Sequence, residues 1–163
     1  MLPENYHIVP IWQDGDMSDT LTGDSVNMKN YHDCTYILTF DTLGTESSVL
    51  TVYSGTDAAA TTSALYFNYA FGGAAIGTAV AGSTASCDVL AAWTNANTLT
   101  ITHDAYDNYM LVVCVDAASM DIANSEEWLT PVLTDPGNAT GTVDCIALLR
   151  PRYKSARGGT ALA

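Results

Sequence analysis

Residues 33–41 read DCTYILTFD, and the alternation in that stretch decides the fold class. Cys34, Tyr36, Leu38 and Phe40 fall on one side of an extended chain; Thr35, Ile37 and Thr39 fall on the other. A period of two with β-branched and aromatic residues specifies a half-buried strand. Residues 48–53 (SVLTVY) have the same character. The link TLGTES, with Gly44 at its centre, predicts that the two pair as a hairpin.

Working outward, strand-type segments recur at short intervals. Residues 6–12 (YHIVPIW) are apolar, and Pro10 assigns them to an edge or irregular strand. Residues 13–24 (QDGDMSDTLTGD) read as a polar, turn-rich loop. Residues 64–71 (ALYFNYAF) are aromatic and strand-like, and 97–102 (NTLTIT) alternate cleanly. Residues 84–92 suit either a strand or a short helical turn. Residues 108–116 (NYMLVVCVD) are apolar on both sides, as a central strand covered on both faces requires. Residues 117–128 suit one short helix or a loop, and 141–149 (GTVDCIALL) form a last strand ending before Pro151. The four glycines in 72–83 argue against a helix there despite the alanines. The pattern predicts an all-β protein, an antiparallel β-sandwich or jelly roll with little helix.

A chain of 163 residues, 48% apolar, suffices for one domain with its own core. We place that β-rich domain at 1–149, with 1–23 as an N-terminal segment and acidic loop, and an extended basic arm at 150–163. Charge supports the division. All 18 acidic residues and one base, Lys29, precede position 150; the other four bases are Arg150, Arg152, Lys154 and Arg157. Residues 1–149 therefore carry a formal −17 and the last fourteen +4. Such an acidic body repels phosphate, so neither direct nucleic-acid binding nor an anionic membrane surface is expected. The N-terminus MLPENYHIVPIW has no basic region followed by a long apolar core, so no secretory leader is expected, and the run 66–81 is too interrupted by glycine to span a bilayer.

The adjacent His32, Asp33 and Cys34 raise the question of a nucleophile with its base. Cys34 begins the inward set of a strand, and a buried structural cysteine is inert. Cys87, Cys114 and Cys145 complete a set without any CxxC pair, and reduced thiols are the simplest reading. Asp14, Asp16, Asp19 and Asp24 crowd one loop, but without the glycine and glutamate register of a calcium-binding loop. His103, Asp104 and Asp107 read as a turn cap. Glu126 and Glu127 are neighbours in sequence, whereas catalytic carboxylates come from separate elements. No phosphate loop, dinucleotide fingerprint or GxSxG appears. We expect no enzyme activity, no metal and no cofactor. A carbohydrate-binding sandwich using Trp93, Trp128 or the Tyr66–Phe71 aromatics, with calcium in the 14–24 loop, is the alternative.

The segment DSVNMKNYHDCTYILTFDTLGT resembles a recurring opening of small structural proteins of tailed bacteriophages. In these a D-x-V-x-(M/L)-K-N-Y lead-in enters a strand and then a glycine turn. The matching residues are Asp24, Val26, Met28, Lys29, Asn30, Tyr31 and Gly44, and the closing LLRPRYKSA is similar to the end of such proteins. The resemblance covers about a third of the chain. It implies a capsid decoration (cement) or auxiliary head protein, β-rich, commonly trimeric, bound to the major capsid protein on the outside of the virion after assembly in the host cytoplasm. A tail or neck component is the related alternative. No catalytic residues come with it. Contacts are expected from Trp12 in the segment Leu2–Trp12, from Lys29 and Tyr31, and from Arg150, Arg152, Lys154 and Arg157.

Overall fold

The computed structural model describes residues 5–77, 87–135, 137, 139–153 and 160–162. Twelve strands follow one another: β1 (His7–Asp16), β2 (Leu21–Thr22), β3 (Val26–Asn27), β4 (Tyr31–Phe40), β5 (Ser48–Gly55) and β6 (Ser63–Ala64), then β7 (Phe67–Phe71), β8 (Thr94–Ala96), β9 (Leu99–Ile101), β10 (Met110–Asp116), β11 (Trp128–Thr134) and β12 (Thr142–Pro151). They form two antiparallel sheets. The first has the order β1-β12-β4-β10-β7-β8; the second has β2-β11-β5-β6, with β3 also beside β11 and β9 also beside β5. From β1 to β5 and again from β9 to β12, the chain changes sheet at nearly every connection. That interleaving is the double Greek key of a jelly roll, so the all-β sandwich is established.

The alternation in β4 is realised in the packing. Cys34, Tyr36, Leu38 and Phe40 are buried, while Thr35, Ile37 and Thr39 face outward and are half-buried. In β12, Val143, Cys145, Ala147 and Leu149 lie opposite Phe40, Leu38, Tyr36 and Cys34, and all are buried. β10 supplies Leu111, Val113 and Val115 from the other side. β10 is central as expected, but its outward Met110 and Cys114 stay half-buried.

The predicted hairpin of β4 with β5 does not form. Both edges of β4 are occupied, by β12 and β10, and β5 pairs with β11 in the opposite sheet. The link 41–47 is long enough to cross the roughly 10 Å between packed sheets. Gly44 pairs instead with Thr140 through two backbone hydrogen bonds of 3.1 Å. The 13–24 loop is also shorter than expected, because β1 continues to Asp16. As an edge strand it tolerates polar residues, and two register shifts at Pro10–Trp12 and Trp12–Gly15 bend it.

β11 escapes the periodicity reading because Pro131 sits in it. The Pro131 carbonyl accepts from the Gly23 amide at 2.8 Å, so its nitrogen faces the same neighbour. That neighbour is broken there: β2 pairs at Val132–Leu133, β3 at Trp128–Leu129, and nothing is asked of residue 131 as a donor. Gly23 lines the gap because a Cβ would stand 2.7 Å from Pro131 Cγ and 2.8 Å from Ile11 Cγ2.

Residues 117–128 hold two single 3-10 turns, Ala117–Ser119 and Ile122–Asn124. The Asp116 and Asp121 carboxylates cap them by accepting from the amides of Ala118 and Asn124. The arm expected from Arg150 begins later and is held where it is described. Arg150 and Pro151 belong to β12, the Arg152 amide donates to the Asn30 carbonyl at 2.8 Å, and Ala161 is buried with its carbonyl on the Asn27 amide.

Candidate interaction surface

The basic residues that sequence places far apart converge on one end of the sandwich. Lys29 lies in the turn between β3 and β4, which the Asn27 side chain fixes by accepting from the Lys29 amide at 3.0 Å. Its ammonium is 3.9 Å from Glu127 and well exposed. Arg152 donates from Nε to the Tyr31 carbonyl at 2.8 Å. Arg150 pairs with Asp33, its cross-strand neighbour, and keeps a side chain 56% exposed. Tyr31 is a strut rather than a contact: it is buried, its hydroxyl meets His7 Nδ1 at 2.6 Å, and burial raises its pKa. Trp12 stands apart from this group, half-buried on β1 opposite Cys145. Lys154 and Arg157 lie outside the described residues, but the chain on either side of them docks against residues 26–31.

Between Lys29 and Arg152 opens a hollow of about 180 Å³. Met28, Ala117, Met120 and Ile122 line it with apolar atoms, and Lys29, Glu126, Glu127 and Arg152 complete it. Ile122 is 56% exposed within the otherwise polar DIANSEE stretch. The opposite end of the molecule is acidic. Asp14, Asp16, Asp41, Asp104, Asp107 and Asp135 sit in or beside its turns, with no Lys or Arg there among the described residues. The described bases thus gather at one end, interspersed there with Asp33, Asp116, Glu126 and Glu127, while the acids of the other end stand without them.

The other sequence candidates resolve structurally. Cys34 is wholly buried between Val115 and Leu149 in register, whereas His32 is exposed. Burial pushes the Cys34 thiol well above its usual range and raises Cys145 and Cys114 as well. All four cysteines are free thiols. The acidic loop is dispersed: the Asp14 amide binds Asp144, the Asp16 carboxylate is lowered by accepting from the Ser18 amide, and Asp24 lies beyond β2. Among the described residues no group of three His, Cys, Asp or Glu side chains has a metal-holding arrangement. The residues read as a turn cap instead tie this turn to the 41–47 link: Asp107 accepts from the Leu43 amide at 2.8 Å and His103 Nδ1 meets the Ser47 hydroxyl at 3.1 Å. Glu126 and Glu127 do not act together. Glu126 is buried beneath the hydroxyls of Ser54 and Ser63, while Glu127 reaches Lys29. Of the aromatics, Phe67 and Phe71 are core and Trp128 is half-buried in β11. The exposed Tyr66 and Trp93 stand at opposite ends of the β7–β8 pair, so they build no common stacking platform.

The comparisons follow. No protein-family model matches the sequence. No curated protein matches it. The chain is similar to the crystal structure of SPBc2 prophage-derived protein YomS, at 7% sequence identity and a TM-score of 0.49, over 89% of this chain and 92% of that one.

The raised thiols make a pH prediction. The folded state holds the Cys34 and Cys145 protons while the unfolded chain releases them near its ordinary thiol pKa of about 8.5. Stability from this source is complete below that pH and is lost as pH rises beyond it. Urea midpoints measured from pH 7 to 10 should fall above about pH 8.5, and Cys34→Ala should flatten the fall. A midpoint constant across that window in the wild-type chain would contradict the burial of these thiols.

Proposed function

We propose that this chain is a capsid decoration protein of a tailed bacteriophage, bound to the outside of the major capsid lattice and without enzymatic activity. The sequence resemblance at 24–45 and 148–156 motivates the class. The observation that carries the reading is the end of the sandwich where Lys29 and Arg152, with Glu126 and Glu127, edge a hollow lined by Met28, Met120, Ala117 and Ile122. An apolar pocket ringed by charges receives one protruding apolar side chain and orients the partner electrostatically. Methionine lining suits that task because its unbranched thioether adapts to shape. Here the rim supplies basic groups to an acidic lattice surface, and the −17 body keeps neighbouring copies from associating unspecifically.

The test uses charge rather than truncation, because Pro151 is paired in β12 and Ala161 is buried, so removing 150–163 would damage the fold itself. The triple variant Lys29→Ser, Lys154→Ser, Arg157→Ser leaves β12 intact. Cosedimentation with shells of the cognate major capsid protein should show binding weakened about tenfold or more, with the wild-type affinity falling as salt rises. Equal occupancy of wild type and variant at every salt concentration would exclude this end of the molecule as the contact.

A further inference from the structure

We propose that the outward face of the first sheet pairs with the same face of a second copy of this chain, about a two-fold axis running across the strands. The solvent side of an antiparallel sheet is ordinarily polar. Here its middle level is apolar from edge to interior. Pro10 lies opposite Ile146, Ile146 opposite Ile37, Ile37 opposite Val112, and Val112 opposite Ala70, across five strands in register; Val112 and Ala70 are already buried, so the open apolar part is the Pro10, Ile146 and Ile37 end. At the adjacent level Ile8 lies opposite Leu148. Ile8 and Ile146 are 45% and 40% exposed, and Ile37 and Leu148 half-buried. β12 carries the decisive sequence on this face: Asp144, Ile146, Leu148, Arg150.

Charge selects both the occupant and the axis. Arg150 and Asp144 bracket the apolar pair on β12, so that strand has a basic end and an acidic end, with Asp33 and Asp116 flanking Arg150 on the neighbouring strands. The acidic end is reinforced by Asp14, whose amide binds Asp144, and by Asp41 in the same hollow. An axis across the strands exchanges the two ends. It sets Arg150 over the second copy's Asp144, Ile146 over its Leu148, and the two charge-split bodies antiparallel. An axis along the strands would place Asp144 and Asp14 against their own copies. Like charges opposed at an interface disfavour that arrangement. Arg150 has capacity for the new contact, since a guanidinium carries five donors and, among the described residues, its ion pair is with Asp33. An isologous contact of this kind closes as a dimer, not as a trimer. It does not depend on the proposed role on a capsid, and it leaves the hollow lined by Met28 and Met120 open at each outer end.

Sedimentation velocity over a wide range of concentration tests it. Wild type should show a monomer–dimer equilibrium. Asp144→Arg and Arg150→Glu should each weaken the dimer about tenfold or more. Mixed in equal amounts, the two variants should recover the dimer, because the mixed pair restores both opposite-charge contacts. Ile146→Lys should dissociate the dimer without touching either charge. Circular dichroism and melting of each variant establish that it is folded. Arg150→Gln controls for the loss of the Asp33 pair, and it should weaken the dimer less than Arg150→Glu does. A wild type that remains monomeric, forms trimers or open chains, or dimerises equally well as Asp144→Arg and Ile146→Lys, overturns the proposal.

Discussion

Gly141→Ala should lower the free energy of unfolding by about 3 kcal/mol or more. Gly141 enters β12 with φ +122, a backbone region that only glycine occupies without strain. A Cβ there would also stand 2.7 Å from the Thr42 carbonyl oxygen and 3.2 Å from Leu43 Cδ2. The first obstacle is backbone and has no rotamer by which to withdraw. It belongs to the link that carries the chain from one sheet to the other, so displacing it disturbs both. Gly137 separates the two causes. Its φ is +125, but nothing lies within 4 Å of its Cβ position, so Gly137→Ala isolates the conformational cost. Urea unfolding at unchanged slope measures both. Equal losses at 137 and 141 would show that the contact with Thr42 relaxes freely.

The second large effect is expected at a buried carboxylate. Glu126 is 3% exposed, and it accepts hydrogen bonds from Ser54 and, at 3.0 Å, from Ser63. These serines are cross-strand partners on β5 and β6, so the carboxylate ties the 117–127 segment to the second sheet. Removing both hydroxyls in Ser54→Ala, Ser63→Ala leaves a buried carboxylate without those donors, at a cost of about 3–5 kcal/mol. Adding Glu126→Leu to that pair should recover much of the loss, because an apolar site then replaces a stranded charge. The two variants measured beside the wild type distinguish a polar tie from simple packing: if Glu126→Leu makes the double variant worse, the site depends on the volume of Glu126 and not on its hydrogen bonds.

How far sequence reaches is visible at particular residues. The inward and outward sets of β4 and β12 are legible because alternation directly encodes which side of a strand is apolar. Sheet membership is not encoded locally. β4 and β5 read as a hairpin from the Gly44 link, yet their partners, β12 and β11, come from about a hundred residues later and about eighty residues later respectively. β11 was hidden by Pro131, whose missing donor is harmless only because β2 and β3 leave a gap there, and that gap is a property of the assembled sheet. The interaction surface divides in the same way. Lys29, Arg150 and Arg152 stand out by their scarcity in an acidic chain. The hollow beside Lys29 and Arg152 does not, since Met28, Met120 and Ile122 arrive from separate segments and each alone resembles an ordinary apolar residue. The placement of Arg150 was legible in principle: it continues the outward series Asp144, Ile146, Leu148 by one more step of two.

The gap opposite Pro131 also bears on behaviour at high concentration. One margin of the second sheet consists of β2 and β3, two residues each, and the other of β6 and β9, two and three residues. In the first sheet β8 is three residues long, and β1 is kinked by its register shifts and carries an exposed Pro10. Among the described residues no margin offers a long straight row of free amides and carbonyls on which a foreign strand can grow. A polypeptide rich in β-structure, Thr and Ala can therefore be crowded at high copy number without seeding fibrils, so that contacts are confined to side-chain faces, where sequence can choose the partner.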